Sequence, residues 1–171
     1  MDIQENIINK VAQSGLVSFD LADLHDKGER VVYDMKDHLF QGLILREKDF
    51  REQVKNQDWE VFKDKNIAVI CSADAIVPTW AYMLIASKLQ PIANFFVFGD
   101  LELLETALYL GAIEKLDVQK FKDQRLVIKG CGDIEIPVSA FMALTSKLNP
   151  IVKSIMYGEP CSTVPIFKRK D

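Results

Sequence analysis

The chain has 171 residues, 49% of them apolar and 27% charged, with a net charge of −4 and a pI near 5.3. That size buries a core without a disulfide framework, and the acidic balance argues against nucleic acid as a partner, because phosphate binding wants clustered Lys and Arg. The longest apolar run, 107–113, is far too short to cross a bilayer, and MDIQENIINK lacks the basic start and apolar stretch of a secretion signal, so a cytoplasmic protein with no membrane partner is expected.

Residues 2–13 put Ile3, Ile7, Ile8 and Val11 on one side of a helix that stops at Gly15. Residues 16–21 alternate Val17, Phe19 and Leu21 with Ser18 and Asp20, the pattern of a half-buried strand. His25-Asp26-Lys27-Gly28 reads as a turn, and residues 31–35 as a second strand that pairs with the first in a hairpin. Phe40, Leu43, Ile44 and Leu45 offer apolar side chains for a homodimer interface. Residues 48–55 read as a charged surface helix.

From residue 58 the chain resembles itself. A shift of 59 lays residues 58–100 on 117–159 without a gap and with 14 identities in 43 positions, where average residue usage gives about 3. Phe62-Lys63-Asp64 meets Phe121-Lys122-Asp123, Ser87-Lys88-Leu89 meets Ser146-Lys147-Leu148, and Gly99 meets Gly158. Each copy reads as strand, helix, strand. Residues 67–70 and 126–128 are short β-rich apolar runs of the kind a buried parallel sheet uses. Residues 79–89 and 138–148 follow as helices with Pro near the start, stopped by Pro91 and Pro150. Residues 95–98 and 155–157 are the second strands, and 101–113 reads as a linking helix. The expected fold is α/β, a mostly parallel sheet with flanking helices. It is built from two tandem βαβ repeats plus an N-terminal helix/hairpin extension, in a single domain spanning 1–171 with residues 1–57 packed on the core.

Open parallel sheets bind ligands outside the carboxyl ends of their strands. Four such ends are legible: Cys71-Ser72-Ala73-Asp74, Gly99-Asp100-Leu101-Glu102, Gly130-Cys131-Gly132-Asp133 and Gly158-Glu159-Pro160-Cys161. All three cysteines sit there, and their odd count fits reduced thiols. Thiolate is a nucleophile and a soft metal ligand. Cys71, Cys131 and Cys161 are therefore candidate metal ligands for zinc or iron, with Asp74, Asp133 or Glu159 as a fourth. A zinc site with three thiolates needs Zn–S near ~2.3 Å and sulfurs about 4 Å apart. Strand order decides whether that is reached: if the first strands of both copies lie side by side, Cys71 and Cys131 meet, and Cys161 needs only its Pro160 turn to fold back over the rim.

Blander readings stand beside these. Asp74 and Asp133 recur in both copies and precede helices, where a carboxylate stabilises free N–H groups by about 0.5–2 kcal/mol. Buried cysteine is a common small core residue. His25 and His38 sit in polar settings, Trp80 and Tyr82 start a helix as core residues do, and Lys168-Arg169-Lys170 is a solvated terminus. No dinucleotide fingerprint or phosphate loop is present.

GERVVYDMKDHLFQGLILREKDFRE, CSADAIVPTWAYML, VFGDLE, VIKGCGD and SIMYGEPCSTVPIFK together resemble the bacterial family called domain of unknown function 2480, over about residues 5–169. The resemblance implies no established activity. Genes of such families can lie near iron–sulfur assembly genes, so iron–sulfur assembly proteins are the partners that the resemblance implies. The leading functional expectation is metal- or thiol-dependent ligand binding at the strand carboxyl ends, tied to iron–sulfur or metal-cofactor handling. The alternative is a non-catalytic interaction module with structural cysteines. No nucleophile–base pair is visible, so enzymatic activity stays open.

Overall fold

A computed structural model describes residues 15–130, 132–159 and 162–170. The chain divides into two compact units. One is continuous, Asp26–Leu108. The other is discontinuous, made of the described residues up to His25 together with those from Tyr109 onward. Seven strands are described: β1 Leu16–Asp20, β2 Arg30–Asp34, β3 Asn66–Ile70, β4 Phe95–Phe98, β5 Arg125–Lys129, β6 Ser154–Glu159 and β7 Ser162–Lys168. Four α-helices accompany them: α1 Glu47–Asn56, α2 Thr79–Leu89, α3 Leu101–Lys115 and α4 Val138–Leu148. The fold is mixed α/β with parallel sheets, as expected.

The continuous unit carries a three-stranded sheet of order β2-β3-β4, all parallel. Its central strand, NIAVI, is buried over Asn66–Val69, which is why it reads as an unbroken apolar run. Helix α2 buries Ala81, Ile85 and Leu89, spaced by four so that they share one stripe. Helix α1 buries Phe50 and Val54 on the same rule. With Tyr33, Met35, Ile67 and Val69 these form one core cluster.

The discontinuous unit carries a sheet of order β1-β5-β6-β7, parallel except for antiparallel β7. Helix α4 buries Ala140, Leu144 and Leu148 at the same spacing of four. The Lys147 ammonium donates to the carbonyls of Ile113 and Glu114 near the end of α3, at 2.7 and 2.5 Å, where cations suit the helix dipole. Leu21, Tyr109, Leu126, Val152 and Ile155 belong to this unit's core cluster.

Local geometry runs in step between β3-α2-β4 and β5-α4-β6. Asp64 and Asp123 both adopt a left-handed backbone, with φ of 57° and 59°. Their amides donate to the carbonyls of Ile92 and Ile151 at 2.9 and 3.0 Å. Gly99 follows β4 and Gly158 is the penultimate residue of β6, with φ of 142° and 116°.

Three expectations are corrected. The strands form two sheets, with β3 in one and β5 in the other, so the first strands of the two similar segments are not neighbours in one sheet. The N-terminal hairpin does not form, because β1 pairs with β5 and β2 with β3, both parallel. Sequence proximity favours a hairpin, but flanking a central strand whose apolar stretch is buried, Ile67–Val69 in β3 and Leu126–Ile128 in β5, removes more apolar surface from water. The basic end of the chain is not merely a solvated tail: β7 runs to Lys168 along β6, and the Arg169 amide donates to the Lys153 carbonyl at 2.9 Å. The helix expected over 2–13 lies outside the described residues.

Candidate functional site

The carboxyl ends of β2, β3 and β4 form a rim in the continuous unit. Strand β2 delivers Asp34 there and β3 delivers Cys71 and Ser72. One Asp34 carboxylate oxygen accepts from the amides of Lys36 and Ser72, both at 3.0 Å. The other accepts from the Ser72 hydroxyl at 2.5 Å and lies 3.3 Å from the Lys36 ammonium. Burial pushes this carboxyl up, but the Ser72 hydroxyl and amide and the Lys36 amide outweigh it and bring it down to about 2. Asp34 is thus a fixed anion that ties the end of β2 to the loop after β3. A carboxylate held so low is a poor general base near neutral pH.

Cys71 is half-buried and its thiol donates to the Ala73 carbonyl at 3.6 Å. From the facing helix, Tyr82 completes the group. Burial raises its phenol, and the neighbouring Cys71 and Asp34 raise it further. Tyr82 also meets Phe98 edge-on, with ring centroids 5.1 Å apart. An apolar groove of about 350 Å³ runs alongside, lined by Val69, Tyr82, Met83, Phe96 and Phe98 among others. The rim therefore combines a fixed carboxylate, a hydroxyl, a thiol and a phenol next to an apolar slot. That combination suits binding, where a few polar groups orient a mostly apolar contact.

The corresponding rim of the discontinuous unit is built differently. Gly130 stands where Cys71 stands, and a Cβ there would overlap the Phe141 ring, so Phe141 takes up the space of a side chain. Glu159 is engaged by the Lys129 ammonium at 2.6 Å. A larger groove, about 650 Å³, lies between α4 and β6 and is lined by Phe141, Met142, Tyr157 and Ile166 among others.

Residues 5–169 match the family model described as protein of unknown function DUF2480. The chain belongs to the DUF2480 family. None of the curated proteins matches this DUF2480 chain, and no solved structure matches it.

Of the six candidate ligands, Cys71 lies on the described rim. Asp74 and Asp133 are exposed in the turns before α2 and α4. Neither caps its helix: those positions are Pro78 and Pro137, without a side-chain bond, so capping is corrected. The extended prolines hold both aspartates four residues short of the helical amides. Cys131 and Cys161 lie outside the described residues. Among the described residues, no group of three or more His, Cys, Asp and Glu is close enough to hold a metal ion. No described helix is long and apolar enough to cross a membrane.

In the DUF2480 chain Asp34 is absent from the strand ends legible in the sequence, and Ser72 stands among them only as the neighbour of Cys71. A signal for Asp34 exists: LVSFDLADL and RVVYDMKDH align at a shift of 14, placing Asp20 on Asp34 and Phe19 on Tyr33. Both aspartates end a strand and accept from the amide two residues on, at 2.9 and 3.0 Å.

Proposed function

We propose that this DUF2480 chain is a thiol-dependent ligand-binding protein, working through the carboxyl-end rim of β2–β4. The carrying observation is the convergence of Asp34, Cys71, Ser72 and Tyr82 beside an apolar groove. Cys71 is the contact thiol. Asp34 sets the local charge, and Ser72 and Tyr82 supply hydroxyl groups. Binding of a thiophilic metal, zinc or iron, in cofactor handling is the variant of this reading in which Cys131, Cys161, Asp74, Asp133 or Glu159 join Cys71. Described residues alone do not make up such a ligand set, so the thiol is the part of that expectation that the geometry supports best.

The reading includes a tandem βαβ duplication followed by divergence. Its support is the 59-residue shift in sequence and the matching left-handed turns at Asp64 and Asp123. One copy kept an accessible thiol beside a tyrosine, and the other replaced the pair with Gly130 and Phe141.

The interaction-module alternative also draws on an observation. Leu43, Ile44 and Ile76 are 62%, 55% and 89% exposed, and Ile44 bridges to Ile76 in parallel fashion just beyond the rim. An exposed apolar cluster of this kind suits contact with another macromolecule.

The test combines elemental analysis of untagged protein with thiol alkylation of wild type and Cys71→Ser. The proposal expects Cys71 to be alkylated readily and protected by the bound species, and metal, where found, to be lost in Cys71→Ser. A thiol inert to alkylation in the folded protein, with no metal bound, overturns it in favour of the interaction module.

A further inference from the structure

A sheet edge exposes unpaired backbone N–H and C=O groups, and proteins blunt it with proline, charge, bulges or a covering strand. The four-stranded sheet does so. Its third parallel strand, β6, is covered by antiparallel β7. Strand β7 itself carries Pro165 and Lys168, with a register shift opposite Ile155 and Met156. The three-stranded sheet ends instead at β4, which has no partner on its outer edge among the described residues. Its sequence, FFVF, has no charge and no proline.

The hydrogen bonds say which groups face outward. The amides of Phe95 and Gly99 donate toward β3, to Lys65 at 3.4 Å and Val69 at 2.9 Å. Alternation along the strand then turns the N–H and C=O of Phe96 and Phe98 to the open edge. Phe96 and Phe98 also line one face of the groove with Tyr82 and Met83. Phe98 is 63% exposed and Met83 67%, although both are large and apolar.

We infer that a second copy of this chain completes the edge, β4 pairing antiparallel with β4 of its twin about a two-fold axis at Val97. The register is self-complementary. Residue 96 faces residue 98 of the other copy, and 98 faces 96, so all four outward groups on each side are used in hydrogen-bonded pairs. Val97 meets its own counterpart in the non-hydrogen-bonded position. Each Phe96 then stands beside the twin's Phe98 on one face, a favourable cross-strand aromatic pair. The two three-stranded sheets become one of six strands. A two-fold pairing needs nothing beyond this strand, and β7 on β6 shows within this chain that the third parallel strand accepts an antiparallel neighbour. The surface differs from the Phe40–Leu45 segment suggested by sequence; it shares Phe96 and Phe98 with the apolar groove and uses none of the rim's polar side chains.

Sedimentation velocity on the full chain from about 1 to about 100 µM tests this, on wild type, Phe98→Lys, Phe98→Pro and, as a control, Val164→Lys on exposed β7. Wild type is expected to shift with concentration toward twice the 19.4 kDa chain mass. Phe98→Lys adds charge to the edge and Phe98→Pro removes an outward donor, so each weakens the dimer at least ~10-fold, while Val164→Lys leaves it unchanged. Circular dichroism establishes folding, and Phe98→Lys decides the matter if the proline variant does not fold. Wild type that stays monomeric throughout, or a dimer untouched by Phe98→Lys, overturns the inference.

Discussion

Asn66 is the one fully buried polar side chain among the described residues, and replacing it by alanine should unfold the continuous unit early. Its amide nitrogen donates to Asp26 at 2.7 Å and its oxygen accepts from Asn94 at 2.8 Å. Asp26 also accepts from the Gly28 amide at 2.8 Å and, more weakly, from Asn94 at 3.2 Å. Asn66 begins β3, Asp26 lies before β2 and Asn94 lies before β4, so this network joins the starts of three strands. A hydrogen bond to a charged partner contributes about 1.5–3 kcal/mol and a neutral one about 0.5–1.5. Losing one of each puts Asn66→Ala at about 2–4 kcal/mol, a fall in urea midpoint of about 1–2 M for an ordinary slope. Trp59 and Trp80, the only tryptophans, both belong to the continuous unit, so their emission follows that unit alone. Burial pushes Asp26 up, but hydrogen bonds from Asn66, Gly28 and Asn94 and the charge of Arg30 bring it below the usual carboxylate range. A lowered carboxyl contributes stability above its unfolded value, near ~4, which is lost as pH falls through the folded value. The gap between wild type and Asn66→Ala should therefore be widest at neutral pH and narrow below about pH 4. Asn66→Asp sets a second carboxylate against Asp26 and should be worse than alanine at neutral pH, recovering as the pair takes up a proton. A tryptophan transition within about 0.3 M of wild type, or a gap independent of pH, refutes this account of the network.

Further outcomes follow from the same geometry. Gly158→Ala should lower stability by about 2–4 kcal/mol, because φ is 116° and an added Cβ would stand 2.7 Å from the Ser162 carbonyl; an unchanged thermal midpoint by circular dichroism counts against the β6–β7 turn. Gly130→Ala should cost about 1–3 kcal/mol through overlap with Phe141, and Phe141→Ala should relieve part of it, so a double-mutant cycle with no coupling energy rejects the contact. Asp34→Asn should destabilise by no more than about 2 kcal/mol at pH 7. Because the Asp34 carboxyl sits at about 2, that difference should fade between about pH 4 and pH 2, and paired urea titrations at the two ends check it. Arg30→Lys should weaken the continuous unit measurably, since both Nε and a terminal nitrogen of Arg30 donate to Glu105, at 2.5 and 3.1 Å, and lysine cannot reproduce the fork.

Local features of the fold are legible in the sequence and distant pairings are not. Helices α2 and α4 lie where the proline stops and the spacing of Ala81, Ile85 and Leu89 put them, because both are properties of a dozen neighbouring residues. Strand β4 also has the expected bounds. Partner choice was missed, since nothing near Val17 names Leu126 as its neighbour. Strand β7 was missed because Pro165 and a basic end argue against a central strand, though not against an edge one. At the rim, the loop carrying Cys71 was legible from the strand-end rule, whereas Asp34 approaches Ser72 from 38 residues away. Tyr82 looked like ordinary helix core, and only the packing of α2 over the sheet brings it near Cys71.

The order of the strands along the chain has a bearing on how the protein is made. Strand β1 leaves the ribosome first, yet its partner β5 begins roughly 110 residues later, so closing that ladder carries the entropy of a long loop. The residues of the continuous unit all emerge in between and can settle around β3 before β5 exists. During that interval β1, with Val17 and Phe19, is an unsatisfied strand beside a freshly formed sheet whose own first strand has a kindred sequence. What sets β2 apart from the kindred β1 segment is its first residue: Arg30 grips Glu105 within the continuous unit, while the matching position of β1 is Leu16, which has no guanidinium to offer.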